Sequence, residues 1–152
     1  MAGIGDLNRD GIPDFAAGAT GDSEGAIYII FMNRNGTVKS NTKIANNLSG
    51  FNPVNLSSGD YFGKSITNMG DLNGDGVQDL AVGAHGDGNL ESAEGAVYIL
   101  LMNTDGTVLS NTKIADGLKL FYPENLNASD MFGSSVANIG DLNGDEIGRA
   151  HV

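Results

Sequence analysis

The sequence predicts an all-β chain built from four-stranded antiparallel sheets, and three observations carry that prediction. Residues 6–70 recur as 71–140, with identity at more than half of the positions. Within each copy the apolar residues come in short runs bounded by Gly, Asn and Asp, the spacing of strands and turns rather than of helices. A nine-residue segment rich in Asp opens both copies, and turn-forming residues dominate it.

The elements follow in order. Strand A is expected over Lys64–Met69, and again over Ser134–Ile139 at the end of the second copy; the chain itself starts inside such a strand. The Asp-rich loop comes next. Strand B covers Phe15–Gly18 and Leu80–Gly83, and a variable loop then leads to strand C, Ala26–Met32 and Ala96–Met102. Strand C is apolar almost throughout, which predicts a central strand covered on both faces. Asn35-Gly36 and Asp105-Gly106 signal two-residue hairpin turns. Strand D, Thr37–Ile44 and Thr107–Ile114, carries Val38, Leu109, Lys43 and Lys113 as marks of an exposed edge. Long loops, 46–61 and 116–131, lead to the next strand A, with Phe51 and Phe121 expected to plug the seam between sheets. The five residues added in the second copy fall in 86–94, where insertion between strands costs little. Four up-and-down strands per repeat match one blade of a β-propeller. The expected architecture is a partial propeller of about two blades: repeat one at 6–70, repeat two at 71–140, and a truncated third start at 141–152.

The loops carry the chemistry. Asp6-Leu7-Asn8-Arg9-Asp10-Gly11-Ile12-Pro13-Asp14 and Asp71-Leu72-Asn73-Gly74-Asp75-Gly76-Val77-Gln78-Asp79 place oxygen-bearing side chains at positions 1, 3, 5 and 9 with Gly at position 6. Alternate residues of a tight loop converge on one point, and calcium takes six to eight oxygens at roughly 2.3–2.6 Å. The candidate ligands are the side chains of Asp6, Asn8, Asp10 and Asp14 with the carbonyl of Ile12, and those of Asp71, Asn73, Asp75 and Asp79 with the carbonyl of Val77. Gly11 and Gly76 are expected to supply the positive φ of the sharp turn. An EF-hand is excluded, because position 12 is Ala17 or Val82 rather than Glu and glycine-bounded strands follow. An Asx-rich turn without metal is the competing reading, and repetition at matching places favours metal. Asp141, Asn143 and Asp145 begin an incomplete third site. Glu146 then replaces Gly, Arg149 replaces the closing Asp, and residues 146–152 read as a non-native tail.

Composition bounds the rest. Net charge is −11 from 19 acidic and 8 basic residues, and eight of the acids are Asp in the three loops. With no basic stripe, nucleic-acid binding is not expected. No apolar run approaches the ~18 residues of a membrane span, so no membrane insertion is expected. The first five residues lack the basic and apolar regions of a signal peptide. Cysteine is absent, and calcium could take over the stapling role of disulfides outside the cell, where weak sites of roughly 10⁻⁴–10⁻³ M fill. His85 stands alone and reads as a turn residue. No nucleophile elbow or separated carboxylate pair is present, so no enzyme activity is expected.

Phe62-Gly63, then the Asp-x-Asn-x-Asp-Gly-x-x-Asp loop, then Gly83-Ala84-His85 (Gly18-Ala19-Thr20 in the first copy) resemble, in order and spacing, the FG-GAP repeat of integrin α-subunit β-propellers and of large secreted bacterial proteins. The wording of strand C and its turn, Tyr-Ile-Leu-Leu-Met-Asn, looks closer to the bacterial branch. The resemblance implies a seven-bladed propeller with Ca2+ in the hairpin between the first two strands of a blade, and carries the ligand roles onto the residues named above. It further implies an extracellular or cell-surface adhesion module with a protein or cell-surface glycan as partner. Two departures bear on this. Asn8 and Asn73 remove one charge per site, and the Pro of Gly-Ala-Pro is missing. About two blades in place of seven reads as part of a longer protein, and the open blade faces predict self-association, three or four copies completing a ring of roughly six or eight blades. The alternative roles are an accessory part of a secreted hydrolase and a glycan-binding lectin.

Overall fold

The computed structural model describes residues 1–88, 93–118, 121–123, 126–127 and 129–142. They form two four-stranded antiparallel sheets, each in simple up-and-down order. The first blade comprises β1 (Ala2–Gly5), β2 (Asp14–Ala19), β3 (Ala26–Met32) and β4 (Val38–Ile44). The second comprises β5 (Ser65–Gly70), β6 (Asp79–Ala84), β7 (Ala96–Met102) and β8 (Val108–Ile114). The register repeats as well: Tyr28 faces Lys43 across the β3–β4 ladder, and Tyr98 faces Lys113 across β7–β8.

Several expectations need correction. Ser134–Ile139 forms no strand, because a strand requires a ladder and no described strand pairs with that segment. The Asn35-Gly36 turn is not a two-residue turn. Gly36 N–H bonds the Asn33 carbonyl at 3.0 Å, Asn33 N–H bonds the Thr37 carbonyl at 2.8 Å, and of these residues only Gly36 has positive φ (81°). This is a three-residue connection closed by a left-handed glycine, and it produces the register shift between Phe31 and Met32. Asn103–Thr107 repeats it. Strand C is interior to each sheet but not covered on both faces in the first blade, where Tyr28, Ile30 and Met32 are half-buried. The strand buried at every position is β6. Lys113 does not mark an exposed edge: its side chain is 10 % exposed and its ammonium lies 2.7 Å from Asp87 Oδ1.

The two sheets pack face to face. Ile27, Ile29 and Phe31 of β3 point toward the second blade, and a Cβ placed at Gly106 in the β7–β8 turn would meet Phe31 and Ile29 at 3.1 and 3.2 Å. Tyr98, Leu100 and Met102 of β7 point back, each 0 % exposed. The long loop between the blades fills the seam as expected of Phe51. Its ring stacks on Phe62 at 4.5 Å, and Tyr98 meets both rings edge-on at 5.4 and 5.6 Å.

Backbone crosses backbone at the seam. Phe62-Gly63 passes over the end of β2 and the start of β3, with Phe62 N–H bonded to the Glu24 carbonyl at 3.0 Å. Gly63 N–H then bonds the Gly83 carbonyl of β6 at 3.1 Å, tying the crossing to the second blade. A Cβ at Gly18 would stand 1.9 Å from the Gly63 carbonyl oxygen, closer than any atom pair tolerates. Gly18→Ala is therefore expected to lower stability by about 2–4 kcal/mol, read as a lower urea midpoint. Gly21→Ala, where nothing lies within 4 Å, is expected to stay within about 0.5 kcal/mol of the parent. Equal midpoints for the two variants would refute the crossing as a steric constraint.

Candidate metal centre

The Asp-rich loops join β1 to β2 and β5 to β6, at the same end of both blades. Gly11 and Gly76 take positive φ (80° and 82°), as the turn requires; position 4 is also left-handed, with Arg9 at 61° and Gly74 at 79°. The side chains at positions 1, 3 and 5 turn inward onto the loop's own amides. Asp6 accepts from the N–H groups of Asp10 (2.9 Å) and Gly11 (2.7 Å). Asp71 accepts from Gly74, Asp75 and Gly76 at 2.7, 3.0 and 2.7 Å. Asn8 accepts from Asp10 N–H at 3.0 Å and Asn73 from Asp75 N–H at 3.0 Å. Each Asn also donates its amide to the position-5 carboxylate, at 3.0 Å to Asp10 and 2.7 Å to Asp75. Asp10 and Asp75 in turn accept from the N–H of Ile12 (3.0 Å) and Val77 (2.8 Å).

The closing aspartates sit deeper. Asp14 is 2 % exposed and Asp79 is 0 % exposed. Asp14 Oδ2 accepts from Leu7 N–H and Oδ1 from Met32 N–H, both at 3.1 Å. Asp79 repeats the pair with Leu72 (2.8 Å) and Met102 (3.0 Å). Each carboxylate thus ties its loop to the end of strand C. Burial holds the Asp79 carboxyl above its ordinary pKa, against the lowering effect of the two amides. Sequence reasoning singled out Asp14 and Asp79 for oxygen chemistry; their role as clamps on strand C depends on contacts 18 and 23 residues away.

The donor set fits a hard cation. The side-chain acceptors at positions 1, 3, 5 and 9 are all oxygens, and an ionised carboxylate has about four lone-pair positions, so the amide bonds above leave acceptor capacity on each Asp. Among the described residues, no three His, Cys, Asp or Glu side chains are gathered closely enough to hold a metal ion by themselves. Asp141 lies at the start of the third loop, while Asn143 and Asp145 fall outside the described residues.

The two loops differ in their cations. Lys39 Nζ lies 2.8 Å from Asp10 Oδ2, and that hydrogen bond is the main cause holding the Asp10 carboxyl below its ordinary pKa. The matching residue in the second blade is Leu109, which is exposed, so Asp75 has no such lysine. Arg9 reaches across instead, its Nη2 donating to the Asp75 carbonyl at 3.0 Å.

The FG-GAP repeat model matches residues 2–30 and 62–100. The chain is 40 % identical to human integrin alpha-6 over 84 residues, 55 % of this chain and 6 % of that protein. It is 35 % identical to mouse integrin alpha-2 over 88 residues, 57 % of this chain and 7 % of that protein. With integrin alpha-3 of Cricetulus griseus identity is 36 % over 129 residues, 79 % of this chain and 11 % of that protein. The chain therefore spans only a small part of these relatives' length.

Removing a clamp leaves two amides without their acceptor, one of them at the end of buried β7. Asp79→Ala is expected to cost about 2–4 kcal/mol in calcium-free buffer, and chemical denaturation checks it. An unchanged midpoint would show that the clamp contributes nothing without metal.

Proposed function

We propose, for a chain that carries FG-GAP repeats and is similar to integrin alpha chains, that it is a calcium-binding structural and interaction module of a larger secreted or cell-surface adhesion-type protein. One observation supports the calcium reading above the others. Two loops, 65 residues apart in sequence, hold the same oxygens on the same amides around left-handed glycines. Asp6, Asn8, Asp10 and Asp14 with the Ile12 carbonyl would hold one ion. Asp71, Asn73, Asp75 and Asp79 with the Val77 carbonyl would hold the other. The bound ion would supply positive charge to a cluster that otherwise repels itself.

The role follows from linkage. An ion that binds the folded loop and not the unfolded chain adds RT ln(1 + [L]/Kd) to stability. It also stiffens the hairpins at one end of the blades, while the opposite end, with the 20–24, 46–61, 85–94 and 116–131 segments, presents a surface for a protein or glycan partner. At that end Asp60, Asp87, Tyr98 and Lys113 bond one another or nearby backbone, which supports a packing role for these four groups. A glycan-binding role is the second reading, supported by the exposed Tyr61 and Tyr122 on these loops; a glycan array with and without calcium distinguishes it.

Two outcomes are expected. At 10 mM CaCl2, sites of 10⁻⁴–10⁻³ M would add about 1.4–2.7 kcal/mol each, so the two together would raise Tm by roughly 6–20 °C over an EDTA-treated sample. A melt indifferent to calcium would end the proposal. Lys39 must yield Asp10 to an incoming ion, so the first site is expected to bind more weakly than the second. Lys39→Leu, copying Leu109, is expected to tighten the first site about three- to tenfold in calorimetric titration. Two equal sites in the parent chain would contradict that assignment.

A further inference from the structure

Three side chains meet at the seam, at the end of the blades opposite the Asp-rich loops: Tyr61 and Lys64 from the segment that enters β5, and His85 just after β6. A tight turn sets the first two together. Lys64 N–H bonds the Tyr61 and Gly83 carbonyls, both at 3.1 Å, with Tyr61 left-handed at φ 57°. The bond to Gly83 brings the turn against the end of β6, and the His85 ring stacks on Tyr61 with centroids 4.9 Å apart and 21° between planes. Tyr61 remains 45 % exposed, and Lys64 is exposed, with the blade on each side of this seam in place. The turn itself does not call for these residues. It recurs in the second copy, where Ser134 N–H bonds the Met131 carbonyl at 3.0 Å and Met131 stands at φ 53°. Thr20 takes the place of His85 in the first copy.

The chemistry of this corner follows from what its groups lack. In a chain of net charge −11, the described lysines Lys39, Lys43 and Lys113 each pair with an Asp. Lys64 pairs with no carboxylate among the described residues. The adjacent acid, Asp60, is 7 % exposed and turned onto the Ser57 N–H at 2.6 Å. His85 makes no hydrogen bond among the described residues, and its Nδ1 is buried without a partner. Burial first, and the Lys64 ammonium second, hold its pKa below the ordinary value, so the ring is neutral near pH 7. A buried lone pair is tolerated better than a buried N–H, which leaves the proton on Nε2 as a free donor.

We infer that this corner binds an acidic glycan, with the anionic group on Lys64 and His85 and one face of a sugar ring against Tyr61. The charge-assisted hydrogen bond to the ammonium orients the ligand. The tyrosine ring covers the C–H face of the sugar while the sugar hydroxyls stay in water. An acidic protein segment would use the two donors and leave the ring idle. The strongly acidic chain repels anions at long range, so the attraction must come from the corner itself. The inference rests on the reading of this end of the blades as the interaction surface, and not on the calcium sites.

An array of sialylated, uronate-containing and sulfated glycans beside their neutral parents, probed with the full chain in CaCl2 buffer, tests it. The parent chain is expected to bind acidic glycans and not neutral ones, and the acids bound separate carboxylate from sulfate. Lys64→Ser and Tyr61→Met, which copy Ser134 and Met131 of the same turn, are each expected to weaken binding at least about tenfold. Lys64→Arg keeps the charge and is expected to retain most of the binding. Should Tyr61→Met melt early, the two Lys64 variants carry the test. Acidic glycans bound equally by Lys64→Ser, as ions bridging to the Asp-rich loops would allow, overturn the inference. Equal binding of neutral glycans also overturns it, while keeping this end as a glycan surface. Binding of poly-glutamate with no acidic glycan bound would assign the corner to an acidic protein segment and overturn it as well. So does an absence of binding to every probe, while the calcium-dependent melt judges the calcium role separately.

Discussion

The constraint on which the rest depends is the close crossing of two backbones at the Phe-Gly and Gly-Ala segments. Gly63 lies so near Gly18 and Ala26 that no side chain fits between them, and its amide reaches Gly83 in the next blade. This one crossing fixes the spacing of the sheets, seats Phe62 in the seam, and aims Phe51 and Tyr98 at it. It recurs at Gly133, where a Cβ on Gly83 would meet the carbonyl at 1.8 Å. A motif named for its residues is, physically, a place where two chains must touch without side chains.

The loops at the far end meet a different demand. A tight turn exposes a run of amides with no ladder partner, and unpaired amides are costly. The Asp and Asn side chains supply acceptors from within the loop, so its shape is set by its own residues. The same acceptors crowd negative charge, which an ion would relieve. Asp14 and Asp79 serve both ends of this arrangement, because they close the loop while anchoring strand C of their own blade.

The blades are alike in sequence and unlike in surroundings. Lys43 and Lys113 occupy the same place, but Lys43 pairs with a half-exposed Asp22, while Lys113 is drawn into a buried contact with Asp87. Tyr98 donates its hydroxyl to the same Asp87 at 2.5 Å, and burial together with that carboxylate pushes the phenol pKa far up. The blade that has a neighbour on its inner face buries its polar network; the other leaves it wet.

Most strand positions, their order within a blade, the two Asp-rich loops and the seam role of Phe51 were legible in the sequence, because each depends on local periodicity, turn chemistry and repetition. Several things were not. The three-residue turn at Asn33–Thr37 required knowing that only Gly36 would take positive φ. The failure of Ser134–Ile139 to become a strand depends on a pairing partner, which no single segment reports. Lys39 over Asp10 and Arg9 over Asp75 join residues 29 and 66 apart. The sequence by itself determined what each segment can form, since that follows from side-chain pattern and backbone freedom. Which faces are covered and which charges meet was decided only by tertiary structure, because burial and pairing belong to neighbours in space.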